Sequence, residues 1–83
     1  MAEKEIGRVL TYFSQVGVAA IKLSGNLKIG DRIHIKGHTT DFEQLVDSMQ
    51  INRKEIKEGK KGDEIGIKVN DKTRPNDVVF LVE

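Results

Sequence analysis

The sequence predicts an all-β protein and, within that class, a small six-stranded antiparallel β-barrel. Turn-forming residues recur about every 8–13 residues, a spacing typical of small barrels and sandwiches. Several segments between the turns alternate apolar and polar residues, as half-buried strands do, and no helical heptads or internal repeats appear. The chain has 83 residues, so barrel closure would protect sheet edges that such a short chain cannot cover with helices.

The clearest strand signal is residues 32–36. Ile33 and Ile35 fall on one face of the predicted strand, whereas Arg32, His34 and Lys36 fall on the other. A pairing shift of one residue would bury the three polar side chains. The alternation therefore determines which face of this strand points to the core.

Six strands are predicted in all, joined by turns that contain glycine, asparagine or proline. The segment 39–51 is long for one strand, and its apolar positions change face after Val46, which predicts a bulge near Asp47 and Ser48. We expect residues 1–5 to be a disordered N-terminus and residues 6–83 to form a single β-barrel domain. The predicted strands cover residues 6–13, 18–23, 32–36, 39–51, 64–69 and 78–82.

The composition narrows the functional classes. The 14 Lys and Arg residues nearly balance 13 Asp and Glu, which argues against a protein held to nucleic acid by bulk charge. The sequence contains no cysteine, so disulfides and thiolate metal sites are excluded. The longest uncharged apolar run, residues 16–21, is far shorter than the ~20 residues of a membrane span, and the N-terminus has no signal-peptide pattern. We therefore expect a cytoplasmic protein without a membrane partner.

Two blocks of the sequence share the pattern of a known family. The first, Gly25–Gly37, contains a glycine turn, a Gly-Asp pair and an alternating strand that ends in glycine. The second, Met49–Ile67, contains an apolar strand, a basic pair and a second Gly-Asp pair before Ile-Gly-Ile. In this order and spacing the blocks resemble domain two of the translational GTPases, the β-barrel of elongation factor Tu, over Gly7–Val82. A similar barrel is appended to some collagenase-like peptidases.

The resemblance implies a free-standing β-barrel of the elongation factor Tu domain 2 (translation protein) type. It also implies a non-catalytic binding module that associates with translation components through tRNA or ribosomal RNA. The GTPase domain of that family is not in this sequence, so no nucleotide ligand is expected.

The two Gly-Asp pairs also have a direct physical interpretation. Gly30 and Gly62 occupy turn positions, and an aspartate follows each of them. Aspartate side chains in turns accept hydrogen bonds from nearby backbone N–H groups. Asp31 and Asp63 are therefore predicted to stabilise two equivalent corners of the domain.

Clustered basic residues are the candidate RNA-binding site. Five of them lie between residues 53 and 61, and the outward face of the third predicted strand adds more positive charge. If the two regions are adjacent, they would form a stripe able to follow a phosphate backbone. A solvated surface with lysines that protect strand edges would show the same pattern. The candidates are Arg53, Lys54, Lys57, Lys60, Lys61, Arg32, Lys36 and His34.

The alternative hypothesis is a protein–protein interaction module, accessory to a peptidase or a modification enzyme, without nucleic-acid binding. The last predicted strand is apolar on both faces, so one face could contact a protein partner. The candidate contacts are Val79 and Leu81 in that strand, with Phe13 and Ser14 at the first turn.

Catalytic and cofactor chemistry have little support. The spacing Gly25-x4-Gly30 resembles a phosphate loop, but Asp31 stands where the loop needs lysine. His34 and His38 lack a complete set of metal ligands around them. The serines lie in no nucleophile motif. We therefore predict no enzymatic activity, no metal and no cofactor.

Overall fold

A computed structural model describes residues 3–83; Met1 and Ala2, at the start of the predicted disordered segment, lie outside the described residues. Within that range the protein is all-β and contains no helix, which confirms the predicted class. No segment there is a helix with the length and apolar character to span a bilayer. The strands are β1 Glu3–Phe13, β2 Val18–Leu23, β3 Leu27–Lys28, β4 Arg32–Lys36, β5 Asp41–Leu45, β6 Met49–Ile51, β7 Lys54–Glu55, β8 Glu58–Gly59, β9 Glu64–Lys68 and β10 Val78–Val82.

Eight strands form one antiparallel sheet, in the order β5-β4-β10-β1-β2-β9-β6-β7, and β3 pairs with β8 in a separate small sheet. The hydrogen-bonded order does not return from β7 to β5, so the predicted closed six-stranded barrel is not confirmed. The side chain of Gln44 links β5 to the end of β9, across the unpaired side of the sheet. Gln44 in β5 donates from Nε2 to the Lys68 carbonyl at 2.9 Å and accepts from the Asn70 N–H at 2.7 Å.

The predicted strands 18–23, 32–36 and 78–82 match β2, β4 and β10 at both ends. The predicted strand 39–51 is instead divided into β5 and β6. Between them, the backbone of Val46 turns away: its N–H donates to the Asp31 carbonyl and its carbonyl accepts from Gly30 N–H, each at 2.9 Å. In place of the predicted bulge, the strand is interrupted at Val46, whose backbone is hydrogen-bonded to the Gly30–Asp31 turn. β1 also starts at Glu3 rather than Ile6, with Glu3–Glu5 paired to β10.

The two predicted aspartate corners are confirmed. Gly30 and Gly62 both have φ of 94°, the positive region that glycine adopts without steric cost. The aspartate after each glycine accepts from the backbone N–H three residues earlier. These bonds join Lys28 N to Asp31 Oδ2 at 3.0 Å and Lys60 N to Asp63 Oδ2 at 2.9 Å.

A third corner of the same construction was not predicted. Asp77 is buried, and its Oδ2 accepts from Arg74 N–H at 2.8 Å, while Asn76 supplies the positive φ of 75°. Asparagine adopts this conformation more readily than most residues, and proline at the preceding position suits the turn. The carboxylate of Asp77 also lies against Gly37, where an added Cβ would overlap it.

Both sheets contribute to the core, since Leu27 of β3 is buried in it with residues of the large sheet, and it consists of aliphatic side chains and one methionine. β1 crosses it with two register shifts, one between Glu5 and Gly7 and one between Val9 and Thr11. Such bulges bend a strand and increase its twist, so β1 can pair with β10 at one end and β2 at the other. The buried apolar residues are Ile6, Val9, Ala19, Ile21, Leu23, Leu27, Ile33, Ile35, Val46, Met49, Ile65, Ile67, Val69 and Val79.

Candidate functional site

The outward face of β4 carries matched charges. Its basic residues face carboxylates from both sides, because β5 supplies Asp41 and Glu43 and the start of β1 supplies Glu3. His34 Nδ1 lies 2.9 Å from Glu3 Oε2, and His34 Nε2 lies 2.5 Å from Asp41 Oδ1. Arg32 Nη1 lies 3.6 Å from Glu43 Oε1. We call this cluster of Glu3, Arg32, His34, Asp41 and Glu43 the His34 cluster.

The His34 cluster favours the charged forms of its members. The hydrogen bond to Asp41 raises the pKa of His34 above its ordinary value, burial opposes this shift, and the contact with Glu3 adds to it. The same hydrogen bond lowers the pKa of Asp41. The His34 side chain is only 13% exposed, and it packs at a tilt on Phe80 with 6.2 Å between ring centroids. The imidazole is therefore held firmly as part of an ion-pair network.

The His34 cluster is also where the described residues come nearest to a metal site. Single ligand atoms of Glu3, His34 and Glu43 lie within 4.8 Å of one another. Both ring nitrogens of His34 already face carboxylates, and Glu43 already faces Arg32. A metal would need a ring lone pair directed at it. We therefore interpret the cluster as ion pairs rather than metal ligands.

The two groups of basic residues predicted to form one stripe do not lie on neighbouring strands of the sheet. Lys54 lies in β7 and Arg53 in the turn before it, with φ of 67°. Strands β10, β1, β2, β9 and β6 separate them from β4 in the hydrogen-bonded order. Lys57 lies between β7 and β8, and Lys60 and Lys61 lie at the Asp63 corner. Arg32, His34 and Lys36 remain on β4, beside the carboxylates of β5.

An open groove of about 680 Å³ lies on the outward face of the other half of the sheet, over β1, β2, β9 and β6. Its apolar wall includes Leu10, Phe13 and Val16, which are 42%, 52% and 64% exposed. Exposed apolar side chains that adjoin one another are typical of protein-contact surfaces. We call this feature the β1–β6 groove. Its lining is Leu10, Phe13, Val16, Val18, Ala20, Gln50, Asn52, Arg53, Glu64, Ile65 and Gly66.

Local sequence explains the shape of the β1–β6 groove. The register shift after Val9 leaves Leu10 exposed. Ala20 pairs with Gly66 across β2 and β9, so two small residues form a low floor. A Cβ on Gly66 would lie 3.2 Å from Val18 Cγ1, which shows how closely the wall approaches that floor. The lining also has a polar wall, which includes Arg53 and Glu64.

The predicted partner-binding residues separate into two groups. Phe13 lines the β1–β6 groove, and Ser14 is exposed in the turn beside it. Val79 has 0% exposure and so has no surface with which to contact a partner, because its side chain lies in the core. Leu81 is half-buried against the core. Leu10 and Val16 were missed, although Leu10 breaks the alternation of β1 by following Val9, and Val16 is an apolar residue in a turn.

No family model matches the sequence. Over 80 residues the chain is 48% identical to an uncharacterized protease of Methanocaldococcus jannaschii, covering 95% of this chain and 20% of that protein. It is 38% identical over 77 residues to a collagenase of Porphyromonas gingivalis, covering 90% of this chain and 21% of that protein. The chain thus spans about one fifth of the length of these relatives.

The fold resembles a solved domain. The C-terminal domain of a Geobacillus thermoleovorans protein assigned as a U32 peptidase superposes with a TM-score of 0.90 at 18% identity, covering 96% of this chain and 93% of that one. Its selenomethionine variant gives a TM-score of 0.87 at 19% identity, covering 92% and 96%. At this identity the likeness shows a shared fold.

These matches overturn the resemblance to domain two of the translational GTPases. The relatives and the structural neighbours are proteases, collagenases and a peptidase domain, so the predicted role in translation through tRNA or ribosomal RNA is wrong. The Gly-Asp pairs were a misleading signal because they form a type of turn that is not specific to one protein family. The third corner has Asn76 in place of glycine. The same aspartate hydrogen bond therefore forms at a turn that lacks the Gly-Asp pair.

Proposed function

We propose that this chain is a protein-interaction module accessory to a peptidase. The similarity to one fifth of an archaeal protease and of a bacterial collagenase supports the association with peptidases. The fold shared with a peptidase C-terminal domain supports a role beside a catalytic body. The module contributes binding, and the catalytic groups belong to its partner.

The β1–β6 groove is the observation that carries this proposal. It combines an exposed aromatic and two aliphatic side chains with a polar wall, and protein interfaces have the same division into an apolar centre and a polar rim. Aromatic residues near such a centre commonly contribute most of the binding free energy. We propose that the peptidase body occupies the groove and that Phe13 is its main anchor, with Ser14 at the rim.

The absence of a nucleophile–base pair supports a non-catalytic role. In the described part of the chain, no serine or threonine hydroxyl is hydrogen-bonded to a histidine, and the ring of His34 is held by Glu3 and Asp41. Nucleophilic catalysis by a hydroxyl requires a base within hydrogen-bond reach.

Matched substitutions on the two halves of the sheet test the proposal. Phe13→Asp places a charge in the groove, whereas Leu45→Asp places one on β5, at a residue of similar exposure, 49% against 52%. We expect Phe13→Asp to weaken capture of a peptidase by at least about tenfold, the loss typical of an interface anchor, and Leu45→Asp to leave it unchanged. The measurement is affinity capture from the source cells, with the peptidase identified by mass spectrometry.

Recovery of no peptidase would contradict the proposed partner. Equal loss in both variants would contradict the groove as the binding surface. Thermal melts of both variants must stay near that of the parent chain, because both residues are about half exposed and lie outside the core.

A further inference from the structure

The first three described residues of β1 form a weakly held segment. Glu3, Lys4 and Glu5 are all exposed, so they bury almost no apolar surface. They pair with Val82, Leu81 and Phe80 of β10. Segments with few buried contacts are the first to open in native proteins. A single specific contact can therefore decide whether residues 3–5 stay paired with β10.

Ile6 separates this segment from the rest of the fold. The register shift in the β1–β10 pairing falls between Glu5 and Gly7. The Ile6 side chain is 1% exposed in the core, and its carbonyl accepts from the Ser24 N–H at 2.8 Å. Residues 3–5 can therefore leave β10 while Ile6 keeps the remainder of β1 in place.

We propose that His34 is a pH-dependent clamp that holds residues 3–5 on β10 through Glu3 and releases them when the imidazole loses a proton. The protonated ring donates from both nitrogens, to Glu3 from Nδ1 and to Asp41 from Nε2. A neutral ring donates from one nitrogen only. The contact with Asp41 is the shorter, so Nε2 keeps its proton and the lone pair of Nδ1 then faces the Glu3 carboxylate at 2.9 Å.

The surroundings of His34 make it responsive to pH. The charged groups that face it are Asp41 and Glu43 of β5, Glu3 and Glu5 of β1, and its own neighbours Arg32 and Lys36 on β4; β10 contributes Phe80. Histidine is the side chain whose charge changes between pH 5 and 8. The carboxylates of Asp41 and Glu3 favour the protonated ring, and loss of its charge removes the attraction that brings Glu3 to β4.

Release would expose one edge of β10 at residues 80–82. That edge is the backbone of Phe80, Leu81 and Val82, and their side chains are half-buried. An uncovered edge with unpaired N–H and C=O groups accepts an added strand. The clamp thus controls access to β10, the strand that the sequence analysis predicted to contact a protein partner. This control does not depend on the β1–β6 groove.

Amide hydrogen exchange, followed residue by residue by NMR on the whole chain, tests the clamp. Protection factors, corrected for the intrinsic effect of pH, are compared between pH 5.5 and 8.5 for residues 3–5 and 80–82. We expect protection there to fall about tenfold at the higher pH, as the loss of one hydrogen bond between charged groups would cause. The β2–β9 pair at Ala19 and Ile67 should keep its protection.

His34→Gln should abolish this pH dependence. His38→Gln is the matched control, because His38 is exposed and its ring makes no hydrogen bond within residues 3–83, and it should behave as the parent. An unchanged response in His34→Gln, or no response in the parent, overturns the proposal. If His34→Gln does not fold, Glu3→Ala decides: protection that is low at both pH values supports the clamp, and an intact pH response refutes it.

Discussion

The two halves of the large sheet have opposite outward faces. Over β4 and β5, the charged side chains pair with one another in the His34 cluster, and Arg32 and His34 each have a carboxylate partner. Over β1, β2, β9 and β6, apolar side chains are exposed beside Arg53 and Glu64, neither of which forms an ion pair within residues 3–83. Arg32 and His34 on the first face are paired within the fold, whereas the apolar side chains of the second face are available to contact another protein.

This difference shows why counting charges along the chain is a poor guide to a binding surface. The basic residues of β4 looked like a nucleic-acid contact because the alternation of that strand places them together. The carboxylate partners of Arg32 and His34 lie on β5 and at the start of β1, up to 31 positions away in sequence. An ion pair within the fold reduces the field available to a ligand.

Small residues in the two halves should respond differently to an added methyl group. Gly37→Ala is expected to lower the melting temperature by about 10 °C, because its Cβ would overlap the buried Asp77 carboxylate and overpacking typically costs about 1–3 kcal/mol. Gly66→Ala should lower it by no more than about 2 °C, since Val18 Cγ1 at 3.2 Å is the near neighbour and lies at the open groove.

Thermal denaturation followed by circular dichroism measures both variants. Neither glycine has a positive φ, so backbone strain does not confuse the comparison. Equal losses would mean that the floor of the groove is as tightly packed as the Asp77 corner.

The His34 cluster should make stability depend on pH, whereas the β1–β6 groove should not. The raised pKa of His34 means that its contribution is complete below its ordinary value of 6.5 and is lost as pH rises through the folded value. The lowered pKa of Asp41 means that its contribution is present above 3.8 and is lost as pH falls through the folded value. Stability from the pair is therefore greatest between these two ordinary values.

His34→Gln should lower the melting temperature by about 3 °C at pH 5.5, as expected for a solvent-screened ion pair, and by less at pH 8.5. Phe13→Asp, on the other face, provides the comparison, and its shift should be similar at the two pH values. A loss in His34→Gln that grows with pH would contradict the assigned direction of the His34 pKa.

The smallest effect is expected at Arg32. Its 3.6 Å contact with Glu43 joins side chains that are 55% and 44% exposed, and such pairs contribute little because water and salt screen them. Arg32→Ala should change the melting temperature by about 1 °C or less, with any difference vanishing at high salt. A larger, salt-independent loss would show that the aliphatic stem of Arg32, rather than its charge, packs on the sheet.

Much of the fold was predictable because strands and corners carry local signals. β2, β4 and β10 were predicted with correct ends, since apolar alternation and glycine turns are properties of neighbouring residues. The corners at Asp31 and Asp63 were predicted for the same reason. The corner at Asp77 was missed because Asn76 replaces the glycine that signals a positive φ.

The candidate site was only partly predictable. Phe13 was identified, but Leu10 and Val16 were not, and Val79 proved to be buried. In a strand that is apolar on both faces, the pattern does not say which face meets the core. Val79 lies on the core face, and Phe80, on the other face, is half-buried beside His34. Which face is covered depends on contacts between distant residues.

The sequence by itself determined the all-β class, the register of β4 and the aspartate corners, because each follows from periodicity or from a hydrogen bond that spans three residues. Only the tertiary structure decided that the sheet stays open, that Arg32 and His34 of β4 are paired with carboxylates, and that Ala20 and Gly66 meet to form a groove floor. These features join residues that lie far apart along the chain. Local pattern cannot specify them, because the entropy of closing such loops is offset only by the packing of the whole core.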